Sequence, residues 1–171
     1  MKMKTILELG NFVRQVRARM KYGELSRSPL VLLRIEVREE LAECDWMARR
    51  PDVFDSSLPQ NRGSQLESEQ ALRDAMAIGH LLFEALPDVH EADLRAFRQS
   101  AREPPALIIK GRLRRDASAV LRVPSLAMRA KLDGFHFWLE DGVLVPLDAE
   151  PEQHSLRLFN SCSATNDPTR V

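Results

Sequence analysis

Two periods divide the chain. From Thr5 to about Tyr22, Leu9, Phe12, Val13, Val16 and Met20 recur every three or four residues, with Arg14, Arg17, Arg19 and Lys21 filling most of the gaps. That spacing gathers the apolar residues on one stripe of an amphipathic helix. Gly23 is its expected stop, and Ser26-Arg27-Ser28-Pro29 reads as a connector.

From Leu30 the period shortens to two. Leu33, Ile35 and Val37 alternate with Arg34, Glu36 and Arg38, then Ala42, Cys44 and Trp46 alternate with Glu43 and Asp45. Alternation of this kind predicts half-buried strands, and the pair reads as a hairpin turning at Arg38-Glu39-Glu40. A helix from Glu39 to Arg50 is the competing reading, because that stretch is rich in good helix formers and its turn has no Gly or Asn. Arg50 to Ser64 follows as a long loop, punctuated by Pro51, Pro59, Asn61 and Gly63.

Ser64-Gln65-Leu66-Glu67 has the form of a capping box, and Leu72, Ala75, Met76, Gly79, Leu82, Phe83 and Leu86 continue as one apolar stripe as far as Pro87-Asp88. This is the expected main helix on the sheet. Ala92 to Arg102 reads equally as helix or strand. Past Pro104-Pro105, Leu107, Ile109, Gly111 and Leu113 face one way and Ile108, Lys110, Arg112 and Arg114 the other, which predicts a strand with one basic face. Pro124-Ser125 opens a short helix through Lys131, and Asp133-Gly134 closes it. Phe135, Phe137 and Leu139 then lead into Asp141-Gly142, the signal of a type I′ hairpin, with Val143 to Leu147 returning.

These elements predict an α+β fold. It is a two-layer sandwich, a mostly antiparallel sheet with helices packed on one face, preceded by the N-terminal amphipathic helix. The expected organisation is one domain over residues 1–148, with helix and connector in 1–28 and the core in 29–148. Residues 149–171 have the composition of a tail, in which Leu156, Leu158 and Phe159 are the apolar residues.

Composition narrows the function classes. At 171 residues, 44% hydrophobic and 29% charged, the chain is an ordinary globular protein. Lys plus Arg and Asp plus Glu each number 25, so the formal net charge is zero. That balance argues against a domain built wholly around phosphate contacts and removes one barrier to self-association. Cys44 and Cys162 form no Cys-x-x-Cys pair and read as free thiols. Glu8 interrupts any signal-peptide core, and no apolar run approaches the roughly 20 residues that span a bilayer, so a cytoplasmic protein without membrane contact is expected.

The chemical motifs are mostly absent. The seven glycines are scattered, without a phosphate-cradling loop. Pro51-Asp52 ahead of Lys110 hints at a nuclease pattern, but Ile108 stands where the second metal-binding acid belongs. His80, His90, His136 and His154 show no metal-ligand spacing, and Gly-x-Ser-x-Gly does not occur. No cofactor or metal is therefore expected. The leading reading is a non-catalytic protein-binding adaptor or accessory subunit, contacting a protein partner or a second copy through Phe12, Val16, Met20, Trp46 and Phe54. A nucleic-acid-binding alternative uses Lys110, Arg112, Arg114, Arg115 and Arg129, with Trp138 as its aromatic platform. A further alternative is a carboxylate- or metal-dependent enzyme around Asp45 and Asp52, with Glu43 and Asp55 nearby.

Overall fold

The computed structural model describes residues 3–50, 52, 57–100, 104–117 and 123–147. Helix α1 (Met3–Arg19) is followed by the hairpin β1 (Val31–Arg38) and β2 (Leu41–Met47), then by the long helix α2 (Gln60–Ala85). Strands β3 (Glu91–Arg98) and β4 (Ala106–Arg114), the short helix α3 (Leu126–Leu132) and strand β5 (Phe135–His136) come next, before a small hairpin of β6 (Trp138–Glu140) and β7 (Val143–Val145). The main sheet has the order β1-β2-β3-β4-β5. Every neighbouring pair is antiparallel except β2 and β3, which are parallel and joined through α2. This is the α+β sandwich with an N-terminal helix that the periodicity predicts.

The alternation from Leu30 does form the hairpin rather than a helix. Its turn solves the missing glycine by holding Glu39 in the left-handed region, at φ 54°. The Glu40 carbonyl then accepts from the backbone N–H of both His90 and Glu91, which pins the start of β3 beside β2. The ambiguous stretch from Ala92 is strand as far as Arg98 because it runs between β2 and β4: Ala92, Leu94 and Ala96 face inward and are fully buried.

The inward sheet face carries small residues: Ala42, Cys44, Ala92, Ala96 and Gly111. Small side chains there let helices approach closely. Gly79 of α2 sits so near Leu113 that a Cβ at this position would come within 2.7 Å of the Leu113 side chain. Gly111 likewise leaves room for Phe135, whose ring would lie 2.7 Å from an added Cβ.

The start of α2 differs from the expectation. The helix begins at Gln60 behind Pro59, with no side-chain cap, and Ser64 lies inside its first turns. The capping box goes unused because the helix begins four residues ahead of Ser64, which leaves Ser64 inside the helix rather than at its cap. Glu67 instead accepts from Arg98 at 3.0 Å. Helix α3 follows expectation, with the Met128 N–H donating to the Ser125 hydroxyl at 3.3 Å and Gly134 taking a φ of 103° beyond the end. The last hairpin turns at Asp141-Gly142 with both φ values positive. Its expected first strand is split: Phe135 and His136 join the main sheet, whereas Trp138–Glu140 pairs only with β7.

The apolar stripe of α1 goes into this core. Phe12, Val16 and Met20 are buried with Trp46 and with Ala75, Ile78 and Leu82 of α2. As expected partner contacts, Phe12, Val16, Met20 and Trp46 are therefore displaced: their side chains are covered by the chain itself. Phe54 and the residues 149–171 lie outside the described residues.

Candidate functional site on the open sheet face

Helices cover one face of the five-stranded sheet, and the strand registers place a charged lattice on the other. One row crosses all five strands as Arg34, Asp45, Arg95, Lys110 and His136. A second runs Glu36, Glu43, Asp93 and Arg112, and a third Arg38, Leu41, Glu91 and Arg114. Within rows and between them, opposite charges meet. Arg95 grips Asp45 with two hydrogen bonds of 2.8 Å, and Arg112 grips Asp93 with bonds of 2.8 and 2.9 Å. Arg114 pairs with Glu91 at 3.2 Å, while Arg34 bridges Glu36 and Glu43.

Bidentate pairs of this kind hold planar guanidinium groups in one orientation. Hydrogen bonds from Arg38 and Arg34 hold the Glu36 carboxyl down at about 2. Lys110 is the exception in the lattice. It makes no ion pair among the described residues and stands in its row between Arg95 and His136, so its positive charge is left uncompensated on β4. A groove of about 470 Å³ opens on this face, lined by Arg38, Asp93, Arg95, Lys110, Arg112 and His136 among others. At its rim the His136 and Trp138 rings meet edge to face, 5.5 Å apart, and Lys131 Nζ lies 5.9 Å from the Trp138 ring.

The fold separates the basic residues that the sequence groups together. Lys110, Arg112 and Arg114 share the open face. Arg115 turns away, donating to the Val89 and Leu86 carbonyls at 2.9 and 2.6 Å and lying over the Phe83 ring. Arg129 lines a different groove with Gln65, Glu69 and Arg73. The carboxylate pair is not assembled as a metal site either. Asp45 is neutralised by Arg95, and no group of three His, Cys, Asp or Glu side chains able to hold a metal ion occurs among the described residues. Asp52 sits half-buried past the end of β2, and Asp55 lies outside the described residues. Cys44 faces the core, where burial pushes its thiol up to about 12.

Two polar clusters that the sequence does not announce, one buried and one partly buried, tie the helices and loops around this platform together. Arg49 donates to Asp74 at 2.8 Å and to the carbonyls of Met20 and Ser28, each at 2.6 Å, so it ties the end of α1 to α2 and to the connector. Gln70 completes the cluster, donating to Asp74 at 3.0 Å and accepting from the Leu25 N–H at 2.6 Å. The second cluster centres on Arg98, which donates to Glu67 and to the Leu144 carbonyl, while the Leu144 N–H donates to the Ser68 hydroxyl at 2.9 Å. Asp74 does carry a sequence signal, since it interrupts the buried side of α2 between Ala71 and Ala75. Arg49 carries none, because only the fold brings the end of α1 beside it.

No helix among the described residues is long and apolar enough to cross a membrane. No protein-family model, no curated protein and no solved structure matches the chain.

Proposed function

We propose that the chain is a protein-binding adaptor or accessory subunit that engages its partner through the open face of the five-stranded sheet. One observation carries this reading: the face presents charges of both signs, held in fixed positions by ion pairs, around a groove of about 470 Å³. Side chains held in place before binding lose little further rotamer freedom on complex formation. Charges in a fixed pattern select a partner with the complementary pattern and reject others.

The same lattice disfavours a nucleic acid. Six cations (Arg34, Arg38, Arg95, Lys110, Arg112, Arg114) share the face with five carboxylates (Glu36, Glu43, Asp45, Glu91, Asp93), an excess of one positive charge. A phosphate backbone laid across it meets Glu43 and Asp93 as well as the arginines.

A tagged full chain incubated with native cell lysate, with and without nuclease, tests the proposal. The Lys110→Glu variant, which removes no ion pair among the described residues, and Arg129→Glu in the other groove serve as the comparison. The expected result is a nuclease-resistant set of proteins retained by wild type and Arg129→Glu and lost with Lys110→Glu. Retention by Lys110→Glu overturns the assignment of the face. Capture that disappears with nuclease and falls steeply with salt transfers it to nucleic acid.

A further inference from the structure

The sheet has two edges of different character. β5 is only two residues long, too short to template another strand, whereas β1 runs for eight residues and has no strand beyond it among the described residues. Long free edges are usually blunted by inward charges, by proline or by covering elements. β1 instead exposes apolar side chains: Val31 is 51% and Leu33 50% exposed.

Its backbone is also set to pair. A two-residue turn closes on a hydrogen-bonded pair, here Arg38 and Leu41. By the alternation of an antiparallel ladder, Arg38, Glu36 and Arg34 then direct their N–H and C=O toward β2, and Val37 and Ile35 direct theirs outward.

We infer that β1 pairs antiparallel with β1 of a second copy about a two-fold axis through Ile35, joining two sheets into one of ten strands. The side-chain sequence selects this register. With Ile35 on the axis, Arg34 of each copy faces Glu36 of the other, so opposite charges match on both sides of the paired Ile35 residues, and the exposed Leu33 lies toward Val37 where the regular ladder ends. Moving the axis to Glu36 opposes Glu36 with itself and Arg34 with Arg38. Moving it to Arg34 opposes Arg34 with itself. Registers shifted by one residue put paired side chains on opposite faces and are excluded by the pleat.

The interface extends the charged rows of the open face across the axis, since Arg34 already bridges Glu36 and Glu43 within one copy. A net charge of zero opposes the association with no long-range repulsion. The ladder irregularity between Leu32 and Arg34 confines regular pairing to the central residues, which sets the expected affinity in the micromolar range rather than the nanomolar.

Sedimentation velocity of the full chain, from low micromolar to submillimolar concentration, tests this. Wild type is expected to shift from monomer toward dimer. Glu36→Lys and Arg34→Glu are each expected to stay monomeric, because each opposes like charges across the axis. An equimolar mixture of the two should dimerise, since Arg34 of one then meets Glu36 of the other, and the introduced lysine meets the introduced glutamate. Amide exchange on wild type gives an independent reading: the Ile35 and Val37 amides should gain protection as the dimer forms. Leu33→Lys, at an exposed position, provides a second monomeric variant should Arg34→Glu fail to fold.

A wild-type chain that is monomeric throughout overturns the inference. So does a wild-type dimer that Leu33→Lys leaves intact, or one that the mixed variants, both folded, fail to restore. Protection of Ile35 and Val37 that is independent of concentration places a segment of the same chain on the edge and equally overturns it.

Discussion

The Arg49–Asp74 cluster offers a quantitative test of how α1 is held to the sandwich. Both residues are only 3% exposed, and the guanidinium is satisfied by one carboxylate and by backbone carbonyls at the end of α1 and in the connector. Replacing Arg49 with Met keeps the apolar stem and removes every one of those donors. Asp74 is then a buried carboxylate with Gln70 as its remaining donor, and removing one member of a buried pair costs about 3–5 kcal/mol. The Met20 and Ser28 carbonyls lose a charged donor as well, at about 1–3 kcal/mol for an acceptor left unsatisfied. These terms overlap, so the expected loss for Arg49→Met is about 5 kcal/mol, a large part of a domain's total stability. Asp74→Asn keeps an acceptor for Arg49 and should lose about 2 kcal/mol, in the range of a hydrogen bond to a charged group. In Arg49→Met with Asp74→Asn the two charges leave together, and the double variant should lose less than the sum of the two single variants by at least about 2 kcal/mol.

Urea unfolding followed by circular dichroism at neutral pH measures all four proteins. The pH dependence carries a sign as well. Burial raises the Asp74 carboxyl above its ordinary 3.8, more than Arg49 and Gln70 lower it, so the folded state holds this proton more tightly than the unfolded chain. Its contribution to stability is therefore greatest below 3.8 and falls as pH rises through the raised value, and Asp74→Asn removes that dependence. Single variants within about 0.5 kcal/mol of wild type, the range of an ordinary surface substitution, would refute the desolvation argument.

Three further outcomes follow from the same geometry. Glu36, held down to about 2 from 4.5 by Arg38 and Arg34, contributes stability above 4.5 that is lost as pH falls toward 2, so Glu36→Gln should flatten that part of an acid-unfolding curve. In a Cys162→Ser background Cys44 should resist a thiol reagent at mildly alkaline pH and react fully in denaturant, because burial pushes it to about 12; rapid labelling of the native protein would contradict the inward placement. Gly111→Ala must displace the Phe135 ring or strain against the Gly134 carbonyl 3.2 Å away, and a loss of about 1–3 kcal/mol in urea unfolding is expected.

The local pattern of this chain specified its elements. The helical stripe of α1, the alternation in β1, β2 and β4, the Ser125 cap of α3 and the Asp141-Gly142 turn are all legible because each depends on residues within one or two turns of one another. Where local preferences balanced, as from Ala92 to Arg98, the sequence left the choice open and the neighbouring strands made it. Where a local signal competed with a distant partner, the partner won: Glu67 serves Arg98 rather than a cap.

What the sequence could not specify is which residues meet across elements. Inward-facing Phe12, Val16, Met20 and Trp46 read the same whether they bury against their own sheet or another protein, and only the packing of α1 on α2 assigns them to the core. The charged lattice is decided the same way. Arg95 and Asp45 lie fifty residues apart, and Arg112 and Asp93 nineteen, yet the register of a parallel pair beside an antiparallel one sets them face to face. That register is set by where the inward residues of β2, β3 and β4 fit beneath α2, a property of the whole core that no window of sequence contains.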